Sequence, residues 1–160
     1  MYSKDTKHND LVGTWCIAAR SLGTLASSEG CNIYTNTSDH VINLGNDGMC
    51  WFSGFTSYST FPSWRFKTEE KRYRRHIYSS WKLVDSHDVG NSFVNTFDEQ
   101  EYRYRIDIPR SETWDGPIYI GSVNGELKLW VPLHRNYDGT SLRNCIPIVF
   151  EKEIPVGSKN

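Results

Sequence analysis

The segment Ile118–Val131, with the sequence IYIGSVNGELKLWV, carries the strongest local signal in the chain. At its centre, Asn124 and Gly125 separate two runs of aliphatic and aromatic residues. An Asn-Gly pair tolerates the two positive φ angles of a type I′ turn, which joins antiparallel strands through a two-residue loop. The segment therefore predicts a β-hairpin whose register is set by the turn.

This register sorts the hairpin onto two faces, because successive side chains of a strand point to opposite sides of a sheet. The aliphatic face pairs Ile118 with Val131, Ile120 with Leu129, and Ser122 with Leu127. The other face pairs Tyr119 with Trp130. We expect the aliphatic face to line a core and the aromatic pair to lie outside it.

A second hairpin is predicted around Glu99 and Gln100. Its inward face would pair Phe93 with Ile106, Asn95 with Tyr104, and Phe97 with Tyr102. Its outward face would pair Val94 with Arg105 and Thr96 with Arg103. Such alternation is typical of antiparallel strands with one buried face.

Turn-forming residues recur at short intervals along the remaining chain, as in Gly45–Gly48 and in Asp138-Gly139. The segments between them are rich in β-branched and aromatic residues, so the sequence predicts about eight to ten strands. Consecutive hairpins with little helix favour an all-β fold, an antiparallel up-and-down β-barrel that removes its own edges. A two-sheet sandwich is the alternative. We expect one domain over residues 11–154, with flexible ends at residues 1–10 and 155–160.

Composition narrows the class of protein. The chain of 160 residues is 38% hydrophobic and 14% aromatic, which excludes a disordered chain. Its net charge of -1 gives no general reason to expect nucleic acid as a partner. There is no apolar run of about 18 residues, so no membrane span is predicted. No signal peptide is visible, which favours the cytoplasm and free thiols, although the four cysteines could form two disulfides.

The start of the first predicted strand resembles a known family. Gly13-Thr14-Trp15 is similar to the Gly-x-Trp motif that opens the first strand of lipocalin-like, or calycin, β-barrels. The later strand pattern, including Ser80–Leu83, is also similar to that family. The resemblance implies that Trp15 plugs one end of the barrel. It also implies a cation packed on that ring, where Lys152 stands in place of the family's usual Arg.

If the barrel is right, its inward residues are candidates for a ligand site, because an eight-stranded barrel can hold one small molecule. The candidates are Phe93, Asn95, Phe97, Tyr102, Tyr104, Ile106, Ile118, Ile120 and Leu129. Asn95 and Tyr104 would orient the ligand. The alternative is that these residues are simply a packed core, with the two polar groups bonded to each other or to water.

A basic segment, Trp64–His76, interleaves cations with aromatic residues. Stacking of bases on such a segment is conceivable, but the near-neutral chain favours a solvated strand or the footprint of an acidic protein partner. The predicted partner-binding residues are Arg72, Arg74 and Arg75 on this segment, together with Tyr119 and Trp130.

Catalytic motifs are not apparent in the sequence. The five histidines form no His-x-His or His-x-x-x-His pair, so no metal site is predicted, and no glycine-rich cofactor motif is present. Our first hypothesis is therefore binding of a small, mostly apolar ligand in a barrel lumen, without chemistry or a cofactor. The second is a filled barrel that binds a protein through its basic strand and exposed aromatics. An enzyme using the same cup stays open, since a fold does not settle function.

Overall fold

The computed structural model describes residues 5–23, 40–53, 77–94, 100–109, 117–134 and 145–153. Short helices lie at His8–Leu11 (α1), at residues 19–23 (α2) and at Ser86–Val89 (α3). The strands are Gly13–Ile17 (β1), Val41–Leu44 (β2), Met49–Ser53 (β3), Ile77–Ser80 (β4), Lys82–Asp85 (β5), Phe93–Val94 (β6), Glu101–Tyr102 (β7), Tyr104–Asp107 (β8), Ile118–Val123 (β9), Glu126–His134 (β10) and Cys145–Lys152 (β11). Within these ranges, no helix is long and apolar enough to cross a membrane.

Nine of the strands form one antiparallel sheet in the order β4-β3-β2-β1-β11-β10-β9-β8-β5. The two end strands, β4 and β5, are consecutive in the chain and separated only by Trp81. The chain itself therefore crosses the seam of the barrel. If β4, Trp81 and β5 are counted as one bent strand, the sheet is an eight-stranded up-and-down barrel. The prediction of an all-β, up-and-down barrel is confirmed.

The seam has a local cause in β8. The β5–β8 register pairs Lys82 with Asp107, and its continuation would place Pro109 opposite Ser80. Proline has no N–H to donate to a ladder, which disfavours pairing between Pro109 and Ser80. Among the described residues, β4 forms no ladder with β8.

The hairpin around Asn124 and Gly125 has the predicted register. Ile120 pairs with Leu129, and Tyr119 pairs with Trp130. Asn124 and Gly125 have φ angles of 53° and 82°, which is the left-handed conformation that a type I′ turn requires.

The meander gives the barrel two different ends. At one end, which we call the turn end, lie the tight β2–β3 and β9–β10 turns, the start of β1 and the end of β11. The connection from β5 to β8 at residues 86–103, with α3 and the β6–β7 ribbon, also lies at this end. At the other end, which we call the loop end, β1–β2, β3–β4, β8–β9 and β10–β11 are joined by longer connections at residues 18–40, 54–76, 108–117 and 135–144.

The inner faces of the strands share one apolar cluster. It contains alternate residues of most strands of the sheet, including Trp15 and Ile17 of β1, Ile42 and Leu44 of β2, and Phe150 of β11. This period of two is what an inward-facing row on a pleated strand requires. The interior of the barrel is therefore apolar along most of its described length.

The second predicted hairpin has a different register from the one expected. Phe93 pairs with Tyr102, not with Ile106, and β6 and β7 form a separate two-stranded ribbon. Ile106 instead pairs with Leu83 of β5 and with Ile118 of β9. Both registers satisfy the alternation of the sequence, because a shift by an even number of residues keeps each side chain on its face. Only pairing with β5 and β9 distinguishes them.

The described part of the N-terminal segment, from residue 5 onward, packs against the barrel. Leu11 at the end of α1 is fully buried in the apolar cluster, and Thr6 is also buried. This segment lies across the turn end of the barrel. Its burial accounts for the docking, since the short helix alone would be too short to be stable in water.

Candidate functional site

The turn end of the lumen is closed by large side chains. Trp15, Trp81 and Tyr104 are each no more than 5% exposed and belong to the apolar cluster. The Trp15 indole N–H donates to the carbonyl oxygen of Leu11 at 2.8 Å, which ties the ring to the N-terminal segment. Aromatic bulk and the docked segment together stop the lumen at this end.

Lys152 lies over the Trp15 plug. The two residues are cross-strand partners, and Lys152 Nζ is 6.0 Å from the centroid of the Trp15 ring. The ammonium also donates to the carbonyl oxygen of Asp10 at 3.3 Å. Gly13 has a φ of +139°, and a Cβ there would come within 2.9 Å of Lys152 Cε. The glycine of the Gly-x-Trp motif therefore makes room for the lysine beside the tryptophan.

A charged cluster fastens the N-terminal segment to the barrel wall. Arg103 binds Asp5 at 2.7 Å through Nη1 and Asp85 at 3.0 Å through Nη2. The hydrogen bond from Arg103 lowers the pKa of Asp85, while burial raises the pKa of Tyr104. The Tyr104 hydroxyl donates to Asp5 Oδ1 at 3.4 Å. Tyr104 was predicted to orient a ligand. Its hydroxyl instead bonds the docked N-terminal segment at the turn end.

Trp81 joins the seam to the β2–β3 turn. Its backbone N–H donates to the carbonyl oxygen of Gly48, and its indole N–H donates to that of Gly45, both at 2.9 Å. His8 of α1 stacks on the Trp81 ring with the centroids 4.4 Å apart. The residue at the seam is thus held by both the adjacent turn and the docked segment.

The loop end of the lumen has a different lining. The described core residues near this end are mainly branched aliphatics, such as Ile17, Ile108, Val131 and Ile148. Helix α2 adds Leu22, which is 8% exposed and belongs to the same cluster. The helix is anchored by Ser21, whose Oγ accepts the Val149 N–H at 2.9 Å. Smaller side chains and a short helix thus border the lumen at the end opposite the aromatic plug.

His40 is a polar residue on this aliphatic side of the barrel. The Ile17 N–H donates to the His40 carbonyl oxygen at 3.1 Å, which extends the β1–β2 ladder by one pair. His40 directly precedes β2, in a bend of the backbone. The residue is fully buried, and burial lowers its pKa to about 4, so the imidazole is neutral at physiological pH.

Two cysteines, Cys16 and Cys50, lie on opposite faces of the sheet. Cys50 is in the inner cluster, and burial raises its pKa to about 12. Cys16 is on the outer face of β1, and burial, with a smaller effect of Glu153, raises its pKa as well. Both are free cysteines. Raised thiol pKa values oppose thiolate formation and so do not favour nucleophilic catalysis.

The predicted ligand-binding residues divide into three groups. Tyr104, Ile106, Ile118, Ile120 and Leu129 lie in the inner cluster. Phe93 and Tyr102 lie in a second cluster with Tyr119 and not in the inner cluster with Tyr104, because β6 and β7 form a ribbon separate from the nine-stranded sheet. Asn95 and Phe97 lie outside the described residues.

The outer aromatic pair is covered by the β6–β7 ribbon. Phe93 and Tyr102 pack with Tyr119 in the second cluster, and Trp130 packs against it. The rings of Tyr102 and Tyr119 are 5.6 Å apart, and Tyr119 is only 9% exposed. This covering limits the surface that Tyr119 can offer to a partner. The other predicted partner-binding residues, Arg72, Arg74 and Arg75, lie outside the described residues.

An open cavity of about 480 Å³ lies at the rim of the turn end. Its lining is mostly charged, and Lys128 Nζ there is 3.4 Å from Glu126 Oε2 and 3.6 Å from Glu151 Oε1. Lys128 thus lies near both carboxylates, and this charged lining does not suit an apolar molecule. Among the described residues, no group of three or more His, Cys, Asp or Glu side chains is arranged to hold a metal ion.

Sequence reasoning missed the burial of His40, which is fully buried just before β2, and the place of Leu22 in the inner cluster. No local signal marked Leu22, which reaches the cluster from a helix beyond the strand. Comparison of the chain with models of protein families, with curated proteins and with solved structures finds no match. The resemblance to lipocalin-like barrels therefore stays a prediction.

Proposed function

We propose that the protein binds a small, mostly apolar molecule in the barrel lumen, without chemistry. The proposal is supported above all by the asymmetry of the interior. Trp15, Trp81 and Tyr104 fill the turn end, while branched aliphatic residues such as Ile17 and Val131 lie towards the loop end. An apolar cup with few polar groups is the usual form of a small-molecule site.

The driving force for such binding would be removal of apolar surface from water. Each Å² of apolar surface buried contributes about 25 cal/mol, so a ligand that buries about 250 Å² gains about 6 kcal/mol before the entropic cost of association. This gain alone is too small to keep the ligand bound during purification. A ligand that stays bound must be larger or must also make a polar contact.

Native mass spectrometry of freshly purified protein, compared with the mass after denaturation, tests the proposal. A stoichiometric extra mass that is released on unfolding and extracted into organic solvent would support an occupied lumen. A bare native mass, combined with no binding of an apolar fluorescent probe such as N-phenyl-1-naphthylamine, would contradict it.

A substitution separates an open lumen from a filled one. Val131 is 1% exposed and belongs to the inner cluster, so Val131→Phe adds volume there. In a filled core this costs about 1–3 kcal/mol of unfolding free energy, whereas in an open lumen the ring occupies the ligand space at little cost. We expect lost probe binding with nearly unchanged stability. Val123→Phe, at a position 41% exposed near the turn end, is the matched control and should change neither.

A second candidate function is binding of a protein partner through the outer surface. The observation that favours it is the exposed apolar surface of the β3–β4 pair, where Met49 is 52% exposed and Tyr78 is 71% exposed. Trp51 is the cross-strand partner of Tyr78 and extends this surface. Copurification of one stoichiometric protein that is lost in Tyr78→Ser would support this function over ligand binding.

A further inference from the structure

The open cavity of about 480 Å³ at the rim of the turn end carries charges of both signs. Its volume lies within the range of about 300–1,000 Å³ that is typical of small-molecule pockets. The lining has three carboxylates, those of Asp10, Glu126 and Glu151, and two ammonium groups, those of Lys128 and Lys152. The chemistry of these groups indicates which class of molecule fits the cavity.

The two lysines of the cavity differ in their ion pairs. Lys128 Nζ is 3.4 Å from Glu126 Oε2 and 3.6 Å from Glu151 Oε1, and the Lys128 side chain is only 14% exposed. Two carboxylates thus share this one cation, and both of their side chains are more than half exposed. This group of three keeps a negative charge that a cation from solution can reach.

Lys152 has no carboxylate partner among the described residues. Its ammonium donates to the Asp10 carbonyl oxygen at 3.3 Å and lies 6.0 Å from the centroid of the Trp15 ring. An ammonium has three N–H donors, so one long hydrogen bond leaves the others for a ligand. The Asn9 amide also lines the cavity, and within the described part of the chain it makes no side-chain hydrogen bond. Lys152 and Asn9 therefore offer donors to an anionic group.

The strand register places these two sets of charges on different faces. Lys128 pairs with Glu151, and continuation of this register places Leu127 opposite Lys152. Successive side chains of a strand point to opposite faces, so Lys128 and Glu151 share the outer face, while Leu127 and Lys152 share the inner one. Leu127 is half-buried against the apolar cluster. The rim thus combines an anionic side with a cationic side that also has apolar surface.

A ligand with one sign of charge would match only part of this lining. A simple carboxylate would meet a net negative charge, and a simple amine would leave Lys152 without a partner. A molecule with both charges can pair its carboxylate with Lys152 and its ammonium with Glu151, while an aliphatic group contacts Leu127. We propose that the rim cavity is a second binding site, separate from the lumen, and that it binds a free α-amino acid with an aliphatic side chain.

NMR titration of the ¹⁵N-labelled full chain tests this inference with three probes that share one carbon skeleton. L-Leucine carries both charges, 4-methylpentanoate lacks the ammonium, and 3-methylbutan-1-amine lacks the carboxylate. We expect leucine to bind with millimolar affinity and about fivefold more tightly than either analogue, the scale of one exposed ion pair.

The position of binding is read from the same spectra. Amide resonances of residues 9–10, 126–128 and 151–152 should shift, whereas those of Val131 and Ile148 in the inner cluster should not. Absence of saturable leucine binding, equally tight binding of one analogue, or shifts confined to the inner cluster would each overturn the inference. The lumen is tested with apolar probes, so neither result decides the other.

Two variants assign the charge recognition to named residues. Lys152→Met keeps the length of the side chain and should weaken leucine about fivefold, to the affinity of the amine. Glu151→Gln should weaken leucine by a similar factor, to the affinity of 4-methylpentanoate. Lys82→Met and Glu101→Gln, at exposed positions that do not line the cavity, are the matched controls and should bind leucine as the wild type does.

Cooperative thermal unfolding of each variant verifies that it is folded. If Lys152→Met loosens the packing on Trp15 and fails to fold, Lys152→Gln replaces it in the same comparison. If the Lys152 and Glu151 variants both bind leucine as tightly as the controls do, the assignment of the site is wrong.

Discussion

Acidification should destabilise this barrel through His40 before it protonates the carboxylates. The pKa of His40 falls from 6.5 to about 4 on folding because the imidazole is buried. The unfolded chain therefore binds more protons than the folded one between these two values. The stability linked to the neutral imidazole is complete above about pH 6.5 and is lost as the pH falls towards 4. One pKa unit corresponds to about 1.4 kcal/mol, so the loss is about 3 kcal/mol.

Urea denaturation followed by tryptophan fluorescence, at several pH values from neutral to about 4, measures this loss. His40→Gln is the comparison protein, since glutamine keeps polar atoms but does not titrate. We expect the wild type to lose about 3 kcal/mol more than the variant over this range. Asp85 does not confuse the comparison, because its lowered pKa affects stability at lower pH and in both proteins alike.

Parallel pH profiles for the two proteins would refute this reasoning, because they would mean that His40 titrates equally in the folded and unfolded states. An independent check is the pH dependence of the His40 ring resonance in NMR spectra. A midpoint near that of a free histidine would likewise show that the imidazole is hydrated and not buried.

Two further predictions concern the turn and the docked segment. Gly125→Ala should cost about 1–2 kcal/mol of unfolding free energy, because the left-handed φ of 82° is strained for alanine although space for its Cβ is free, and urea denaturation measures it. Arg103→Ala removes the ion pairs to Asp5 and Asp85 and should speed hydrogen exchange of residues 5–11, with little change in the β9–β10 hairpin. Unchanged exchange at residues 5–11 would show that Leu11 and the other apolar contacts alone hold the segment.

The sequence predicts the strand register correctly where the paired residues are close together in the chain. The register of β9 and β10 follows from Asn124 and Gly125, since a two-residue turn leaves no freedom in the pairing. By contrast, the segment before it satisfied two registers, and the observed one depends on β8 pairing with β5 and β9. The choice between two registers is therefore made by strands that are distant in the sequence. A local sequence pattern does not show which strands these are.

The sequence by itself determined that this chain folds as antiparallel strands around an apolar interior, because the period of two and the turn residues are local properties of the chain. Tertiary structure alone decided which residues share the lumen. It moved Phe93 and Tyr102 to an outer cluster with Tyr119, and it buried His40 at the end of the β1–β2 ladder beside Ile17. The physical reason is that alternation assigns a side chain to one of two faces, whereas closure of the sheet determines what that face encloses.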